Sequence, residues 1–468
     1  MTFDSLGPRA LTVALAAGVA LGLMHIACVI GLHVPFDPNE GWNAYFAQAA
    51  MATGSPYPAA KSLMIDNYPP LSFFLIGGFA KLTGDAVIAG RIVALAALFA
   101  LALGIETAAR RMGCTRTEAA FAALFFTAGV MLTSDYAGMD DPQMLGHAVA
   151  IGGLLAVLRE PRTPRGMVQA ALLFALAFFI KHNLVVLPLA AAAWLALLDR
   201  RMAATFAASG LIFALIGLGL FKQAFGVSFF SVIDSARTYS LANIATALTS
   251  WLRWSAIPLI GAAALFAIGR RDRHVVFCAI YAVLATAAGI YFSGGAGVDA
   301  NAFFDADIAL ALGAGVLLNR LPTGRTIASA LYAIPLAIGV WNLDADWRGG
   351  EYWFHPMAQD RAAARAQIAL LRDAKGPAIC EMLSLCYWAG KPAAVDVFNI
   401  EQAYLTGARS DKELVQALEA RRFAIVQLEE LSPFPLTPNV RRALDVNYRI
   451  VRQDDDRIFF TANASRAP

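Results

Sequence analysis

Long apolar stretches without a charged side chain constrain this chain most strongly. Neither Leu11 to Leu32 nor Met202 to Phe221 contains an Asp, Glu, Lys or Arg residue. Stretches of about 20 such residues match the thickness of a bilayer core. Of the 468 residues, 58% are hydrophobic and 15% are charged, whereas a soluble domain carries about 25% charged residues. The chain is therefore predicted to be a polytopic α-helical membrane protein.

About eleven stretches are predicted to span the membrane. They lie at residues 10–32, 86–108, 117–134, 144–158, 166–180, 184–198, 203–222, 249–269, 274–292, 305–319 and 326–342. The first lacks a small-residue cleavage site before His33, so it is expected to be an uncleaved span. The short apolar segment 71–82 follows two prolines and contains two glycines. It is predicted to lie at the interface or to re-enter the membrane without crossing it.

Arginines are concentrated in alternate loops between these spans. They are Arg110, Arg111, Arg116, Arg159, Arg162, Arg165, Arg200, Arg201, Arg270, Arg271, Arg273, Arg320 and Arg325. Basic residues mark cytoplasmic loops, so the carboxylate-rich loops at 33–85, 135–143, 223–248 and 293–304 are predicted to face outward. If 71–82 crossed the membrane fully, the later arginine-rich loops would lie outside, so the charge pattern argues against a full crossing. We expect a bacterial inner-membrane (plasma-membrane) protein with its active site on the periplasmic or extracellular side.

The composition becomes that of a soluble protein near residue 344. The sequence predicts a transmembrane module at 1–343, including the outer loop 33–85, and a small extracytoplasmic α/β domain at 344–468. Apolar runs at 423–428, 448–451 and 457–461 are predicted strands, and 411–422 is a predicted helix. Cys380 and Cys386 lie in this region, where a disulfide is permitted.

Several function classes lack their sequence signatures. The net charge is only +3, and no basic run interleaved with aromatic residues indicates nucleic-acid binding. No hydrolase triad, Walker lysine loop or Cys/His zinc pattern is present. The remaining candidates are carboxylates and cations in the loops predicted to face outward.

Asp37 and Glu40 follow the first span directly and are candidate catalytic bases. A transferase that moves a group onto a hydroxyl needs a base within hydrogen-bond reach of that hydroxyl, and a carboxylate can serve. The alternative is a helix start, with Asp37 as N-cap, Pro38 at the first helical position and Glu40 completing a capping box.

Asp140 and Asp141 stand together at the start of a predicted span. Carboxylate oxygens suit Mg²⁺ or Mn²⁺, which could neutralise a phosphate leaving group. A divalent cation is therefore a candidate cofactor, and no organic cofactor is predicted. The alternative is that Asp141 caps a helix before Pro142.

Lys181 interrupts an apolar stretch in a predicted outer turn, where a lysine could bind phosphate. Ionisable groups at membrane depth are costly and suggest function, although a lysine reaching to the interface explains the residue equally. Further candidate contacts of a donor or substrate are His182, Asn67, Tyr68, Arg237, Tyr239 and Asp305.

The order of four short motifs resembles the GT-C superfamily, of the protein O-mannosyltransferase and aminoarabinose-transferase type. Asn39-Glu40-Gly41-Trp42 is similar to the family's first-loop acidic motif, and Tyr68-Pro69-Pro70-Leu71 to its Pro-Pro-Leu segment. Asp140-Asp141-Pro142 resembles its Asp-x-Pro motif, and Ile180-Lys181 its Thr-Lys-like turn. The resemblance covers residues 30–200.

The resemblance implies a polyprenyl-phosphate-sugar donor, inverting transfer, often a divalent metal, and a lipid, glycan or protein acceptor. Asn39 stands where the family has its catalytic aspartate. An amide cannot act as a base, so either Asp37 or Glu40 is expected to take that role.

Two other classes of function fit part of the pattern. A secondary transporter or lipid flippase would also have many spans and outward carboxylates, but it should place ionisable groups near the bilayer midplane. A non-catalytic assembly protein would use 344–468 to bind partners. Neither predicts that a transfer product depends on Asp37 or Glu40.

Overall fold

The computed structural model describes residues 3–59, 61–232, 235–341, 357–429, 436–454 and 457–463. The helices of its first part are α1 (Phe3–Val29), α2 (Pro38–Thr53), α3 (Leu71–Thr83), α4 (Ala86–Arg111), α5 (Arg116–Thr133), α6 (Gln143–Val157), α7 (Pro164–Ile180), α8 (Val186–Leu198), α9 (Arg200–Phe225), α10 (Leu241–Gly269), α11 (Arg273–Phe292), α12 (Phe304–Arg320) and α13 (Arg325–Trp341). All except α2 and α3 lie where spans are predicted. Short 3₁₀ helices occupy Gly226–Val232 and Ala300–Phe303.

Six helices of the described residues are long and apolar enough to cross a membrane. These are α1, α4, α9, α10, α11 and α12. Helices α3, α6, α7, α8 and α13 are apolar but have only 10–17 residues. The total of eleven spans therefore stays a prediction. Helix α3, with 13 residues, is the short helix that the sequence indicates at 71–82.

The helices begin at capping residues that the sequence supplies. The side chains of Asp85, Asp199 and Asp272 accept hydrogen bonds from first-turn amides of α4, α9 and α11. Asp37 caps α2 in the same way, directly before Pro38. Such caps satisfy backbone N–H groups that have no partner inside the helix.

The arginine-bearing loops meet at one end of the helix array. Arg320 Nη2 lies 2.6 Å from Asp272 Oδ2, and Arg273 Nη1 lies 3.2 Å from Glu160 Oε1. Helix α7 starts at this end and finishes at Lys181. The charge asymmetry of the sequence therefore corresponds to two physical ends of the structure, and Lys181 lies at the end opposite the arginine-bearing loops.

Helices α12 and α9 show the two extremes of burial. Helix α12 is buried along nearly its whole length and packs against α5, α10 and α11. Helix α9 exposes apolar side chains such as Leu211, Leu215 and Leu220. Because exposed apolar helices are unfavourable in water, this surface is suited to lipid.

The last part of the chain forms an α/β unit. Its helices are α14 (Ala358–Asp373), α15 (Leu383–Trp388), α16 (Val397–Leu405), α17 (Lys412–Glu419) and α18 (Pro438–Asn447). Its strands are β1 (Ala378–Cys380), β2 (Ile425–Glu429), β3 (Tyr448–Gln453) and β4 (Arg457–Ala462), in the order β1-β2-β4-β3. Strand β1 pairs parallel with β2, and the other pairs are antiparallel. Three strands lie where the sequence predicts them, whereas three-residue β1 is too short to show a pattern.

This unit packs directly on α2. A Cβ atom added to Gly41 would lie 2.0 Å from the backbone nitrogen of Ser384, so only glycine permits the approach. Tyr45 donates a hydrogen bond to the Lys391 carbonyl oxygen at 2.7 Å. A disulfide between Cys380 and Cys386 links β1 to α15. The helix that begins at Asp37 is therefore held against the C-terminal unit.

Candidate functional site

Glu40 is fully buried in the first turn of α2 and forms an ion pair with Arg91 of α4. Arg91 Nε lies 2.6 Å from Glu40 Oε1, and Arg91 Nη2 lies 2.6 Å from Oε2. The carboxylate also accepts hydrogen bonds from the backbone amides of Phe36 and Asp140. Each carboxylate oxygen thus has two donors, and the group is occupied by contacts within the protein.

Arg91 also fixes the loop between α1 and α2. Its other N–H groups donate to the backbone carbonyl oxygens of Ile30, Leu32 and Val34. Its guanidinium lies 3.8 Å from the centroid of the Phe36 ring. A buried charge needs such compensation, because removal of its partner destabilises a protein by several kcal/mol. Glu40 and Arg91 together shape the loop that carries Asp37.

Asp37 lies three residues before Glu40 and is only partly buried. Its Oδ1 accepts a hydrogen bond from the Asn39 amide at 2.7 Å. Burial raises the pKa of Asp37 to about 7, and the negative charges of Glu40 and Asp141 raise this pKa further. The hydrogen bond from the Asn39 amide has the opposite effect and lowers it. No cation among the described residues forms an ion pair with Asp37. Its carboxyl therefore titrates in the range that suits a general base at neutral pH.

Asp141, Lys181 and Tyr68 form a buried cluster from three separate segments. Lys181 Nζ lies 3.1 Å from Asp141 Oδ2 and 3.2 Å from Oδ1. The Tyr68 hydroxyl donates to Asp141 Oδ2 at 3.4 Å, and Lys181 Nζ lies 3.6 Å from the centroid of the Tyr68 ring. Asp141 and the aromatic face of Tyr68 hold the lysine in a fixed position.

Arg237 and His182 lie beside this cluster. Arg237 Nη1 donates to the Ala296 carbonyl oxygen at 2.9 Å, and no described carboxylate forms an ion pair with Arg237. Burial lowers the pKa of His182 to about 4, and the charges of Lys181 and Arg237 lower it further. His182 is therefore neutral at pH 7. A guanidinium that forms no ion pair with a described carboxylate makes this region attractive to a phosphate group.

Asp140 and Asp141 engage different neighbours, which disfavours a metal ion shared between them. The Asp140 carboxyl packs on α4, where a Cβ atom on Gly90 would lie 1.7 Å from its Oδ1. Neither of its oxygens has a hydrogen-bond partner among the described residues. Burial raises the pKa of Asp140 well above its ordinary value, and this favours the neutral acid. Asp141, in contrast, is neutralised by Lys181.

The described residues do not fit the Mg²⁺ or Mn²⁺ site that the sequence suggests. They contain no group of three His, Cys, Asp or Glu side chains placed to hold a metal ion. We therefore derive no reaction step through a metal.

Three sequence candidates make contacts away from the Lys181 cluster. The side chain of Asn67 donates to Asn399 Oδ1 at 3.3 Å. Tyr239 is half exposed, and its hydroxyl donates to the Tyr291 carbonyl oxygen. Asp305 accepts a hydrogen bond from the Tyr281 hydroxyl at 2.6 Å within the helical core. All three side chains therefore have hydrogen-bond partners within the protein, and their contact with a donor or substrate stays a prediction.

Two features of the site were not singled out from the sequence. Arg91 is a charged residue inside a predicted span, and that position alone is a signal of function or pairing. Asp396, Asn399 and Gln402 of the C-terminal unit reach the outer loops of the membrane module. No local pattern identifies them, because their partners lie far away in the sequence.

The fold and the site together define a class of protein. It is a polytopic helical membrane protein with a partly buried acid and a cluster of cations at one end, beneath a small α/β unit. This is the architecture that the resemblance to the GT-C superfamily implies.

Comparisons with known proteins agree with that class. Residues 67–222 match the family model for dolichyl-phosphate-mannose-protein mannosyltransferase. This region contains Tyr68, Asp141 and Lys181, but neither Asp37 nor Arg237. No curated protein matches the sequence.

Solved structures of ArnT from Cupriavidus metallidurans share the fold over almost the whole chain. The apo structure matches with a TM-score of 0.63 and 16% identity, covering 99% of this chain and 99% of that one. The structure bound to undecaprenyl phosphate matches with a TM-score of 0.62 and 14% identity, covering 97% and 98%. The resemblance to GT-C proteins is thereby confirmed by the family model and by the fold.

Proposed function

We propose that this protein is a glycosyltransferase that moves a sugar from a polyprenyl-phosphate-linked donor to a hydroxyl group of a lipid, glycan or protein. The observation that carries the proposal is a carboxyl with a pKa of about 7, on Asp37, at the same end of the helices as Lys181 and Arg237. The matched family model and the ArnT complex with undecaprenyl phosphate support the same donor chemistry.

Asp37 is the proposed catalytic base. It takes the proton from the acceptor hydroxyl, and the acceptor oxygen attacks the anomeric carbon from the face opposite the phosphate. The bond between that carbon and the phosphate oxygen breaks, and its electron pair remains on the departing polyprenyl phosphate. The transfer inverts the anomeric configuration.

Glu40 is the weaker candidate for the base. Its carboxylate is fully buried and accepts four hydrogen bonds, two of them from Arg91. A base must be free to approach the acceptor hydroxyl. We therefore assign Glu40 and Arg91 to positioning the loop that carries Asp37.

Arg237 and Lys181 are the proposed phosphate ligands. Arg237 forms no ion pair with a carboxylate among the described residues, so its charge is available to the donor phosphate. Lys181 is shared with Asp141 and adds positive potential close by. Together they stabilise the negative charge that develops on the leaving phosphate, which is the usual role of cations in such a step.

We further propose that the site faces the periplasm or the cell exterior, with 344–468 on the same side. The positive-inside rule supports this orientation, because the arginine loops meet at the opposite end. Labelling intact cells with an impermeant maleimide tests it with Ala408→Cys, in the C-terminal unit, and Thr323→Cys, between α12 and α13. We expect only the first to be labelled before lysis. Labelling of only the second would reverse the orientation.

The test of function is transfer by purified protein in lipid. Wild type and Asp37→Asn are supplied with a panel of radiolabelled polyprenyl-phosphate sugars and a membrane extract as acceptor. Asp135→Asn is the matched control, because Asp135 is an exposed acid in another outer loop. We expect product from wild type and the control, and loss of about 10² or more in rate for Asp37→Asn.

Two results would contradict the proposal. Full transfer by Asp37→Asn would remove Asp37 as the base. No product from any donor, with folded protein whose vesicles move the lipid or sugar across the bilayer, would favour the transporter or flippase alternative.

A further inference from the structure

Helix α16 of the C-terminal unit contacts the segment that carries Arg237. Gln402 Oε1 accepts two hydrogen bonds from Thr238, one from its backbone amide at 3.0 Å and one from its hydroxyl at 2.8 Å. Gln402 is 1% exposed. A buried acceptor with two donors at these distances fixes the position of both groups.

Phe398 lies on the same face of α16, one turn before Gln402. Arg237 Cζ lies 5.2 Å from the centroid of its ring. On the other side, a Cβ atom at Gly297 would come within 2.3 Å of Phe398 Cζ, and Gly297 has a φ of 68°. Only glycine admits the aromatic ring at this point. Phe398 therefore packs between the Arg237 segment and the loop that contains Gly297.

The Arg237 segment also bonds the loop that contains Gly294 and Ala296, where the Gly294 carbonyl oxygen accepts a hydrogen bond from the Ser240 amide at 2.9 Å. Thr238 accepts a hydrogen bond from the Ala296 amide, and Arg237 donates to the Ala296 carbonyl oxygen, both at 2.9 Å. These bonds join it to the loop that Phe398 also contacts. The two segments thus lie side by side, with an isolated antiparallel bridge between Tyr239 and Gly295, and α16 contacts Thr238 and Arg237 from the C-terminal unit.

The neighbouring face of α16 holds the first outer loop. Asp396, which caps α16, accepts a hydrogen bond from Trp42 Nε1 at 2.8 Å. Asn399 bonds both Asp396 and Asn67. One helix thus connects α2, which follows Asp37, with the segment of Arg237.

We propose that Gln402 and Phe398 are positioning residues for Arg237, so that the C-terminal unit forms part of the phosphate-binding site. This inference rests on the proposed function, because it treats Arg237 as a ligand of the donor phosphate. Helix α16 then does more than cover the site. A shift of Thr238, which α16 holds, would also move the guanidinium of the adjacent Arg237.

Four variants test the inference. Gln402→Leu keeps the size of the side chain and removes the acceptor, whereas Gln402→Glu keeps an acceptor oxygen at the same reach. Thr238→Val removes only the hydroxyl donor, so it remains informative if Gln402→Leu does not fold. Gln416→Leu, on the exposed surface of α17, is the matched control.

The measurements are the Kd for undecaprenyl phosphate and the KM and kcat for the polyprenyl-phosphate-sugar donor that wild type uses. We expect Gln402→Leu to raise Kd and KM about tenfold, as the loss of a buried hydrogen-bond network predicts. Thr238→Val should have a smaller effect in the same direction, and kcat should change little. Gln402→Glu should lie near wild type, and Gln416→Leu should equal it.

A double variant separates positioning from general packing. If Gln402 acts through Arg237, adding Gln402→Leu to Arg237→Ala should leave Kd unchanged from Arg237→Ala alone. Wild-type binding by folded Gln402→Leu and Thr238→Val, or additive losses in the double variant, would overturn the inference while leaving the proposed function intact. Wild type that neither binds undecaprenyl phosphate nor transfers sugar would overturn both.

Discussion

Replacing Glu40 by Gln removes the negative charge from the buried pair with Arg91. The amide oxygen can still accept one hydrogen bond from Arg91, but the amide nitrogen then faces another donor. Arg91 is fully buried, and within the part of the chain that the structure describes Glu40 is the acid with which it pairs. Breaking such a pair from one side costs about 3–5 kcal/mol, because the remaining charge stays buried.

This cost should appear in the melting temperature. The entropy of unfolding grows with chain length, so 1 kcal/mol corresponds to about 1–2 °C in a protein of this size. We therefore expect Glu40→Gln to melt about 3–10 °C below wild type in the same detergent. Glu413→Gln removes an exposed acid from α17 and should melt within about 1 °C of wild type, since exposed charges contribute little.

Transfer measured below the lower melting temperature distinguishes the two possible roles of Glu40. If Glu40 positions the loop, Glu40→Gln loses stability and retains part of its transfer, whereas Asp37→Asn does not melt below wild type and loses transfer. A Glu40→Gln protein that melts with wild type but makes no product would refute this reasoning. The charge of Glu40 would then be required for the reaction itself.

Three further predictions follow from the site and its neighbours. Since a base must be deprotonated and burial raises the pKa of Asp37 to about 7, kcat/KM should rise with pH up to about 7 and then level off. As the pH rises through this range, the free energy of unfolding contributed by Asp37 should fall, because an acid with a raised folded pKa stabilises the protein only in its protonated form. Asp37→Asn should remove both the rise in kcat/KM and the fall in stability. A flat rate profile from pH 5 to 8 would count against Asp37 as the base. Asp140→Asn should retain sugar transfer, and a chelator should leave wild-type activity unchanged. Loss of activity with the chelator and its recovery on adding Mg²⁺ or Mn²⁺ would show that the reaction needs a metal ion. Gly41→Ala should cost about 1–3 kcal/mol by overpacking and make the C-terminal unit more sensitive to protease, whereas Gly18→Ala, which meets open space on α1, should match wild type in the same digestion.

The sequence alone determined the positions of the helices in the membrane module and the grouping of the arginine-bearing loops on one side. Hydrophobic length and capping residues are local properties, so the positions of all eleven predicted spans coincide with helices. The arginine loops were recognised from composition, and the structure joins them at one end. The motif order from Asn39 to Lys181 led to the GT-C resemblance because each motif is short and contiguous.

The tertiary structure decided which of these polar residues are available to a substrate. Glu40 and Asp37 look equivalent in the sequence, but only the packing of α4 against α2 brings Arg91 onto Glu40. Asp37 has no ionic partner among the described residues. Asp140 and Asp141 are adjacent, yet one packs on Gly90 and the other pairs with Lys181. Gln402 meets Thr238 across 164 residues of chain. Such pairings depend on which surfaces the fold brings together, and a local pattern carries no information about a distant partner.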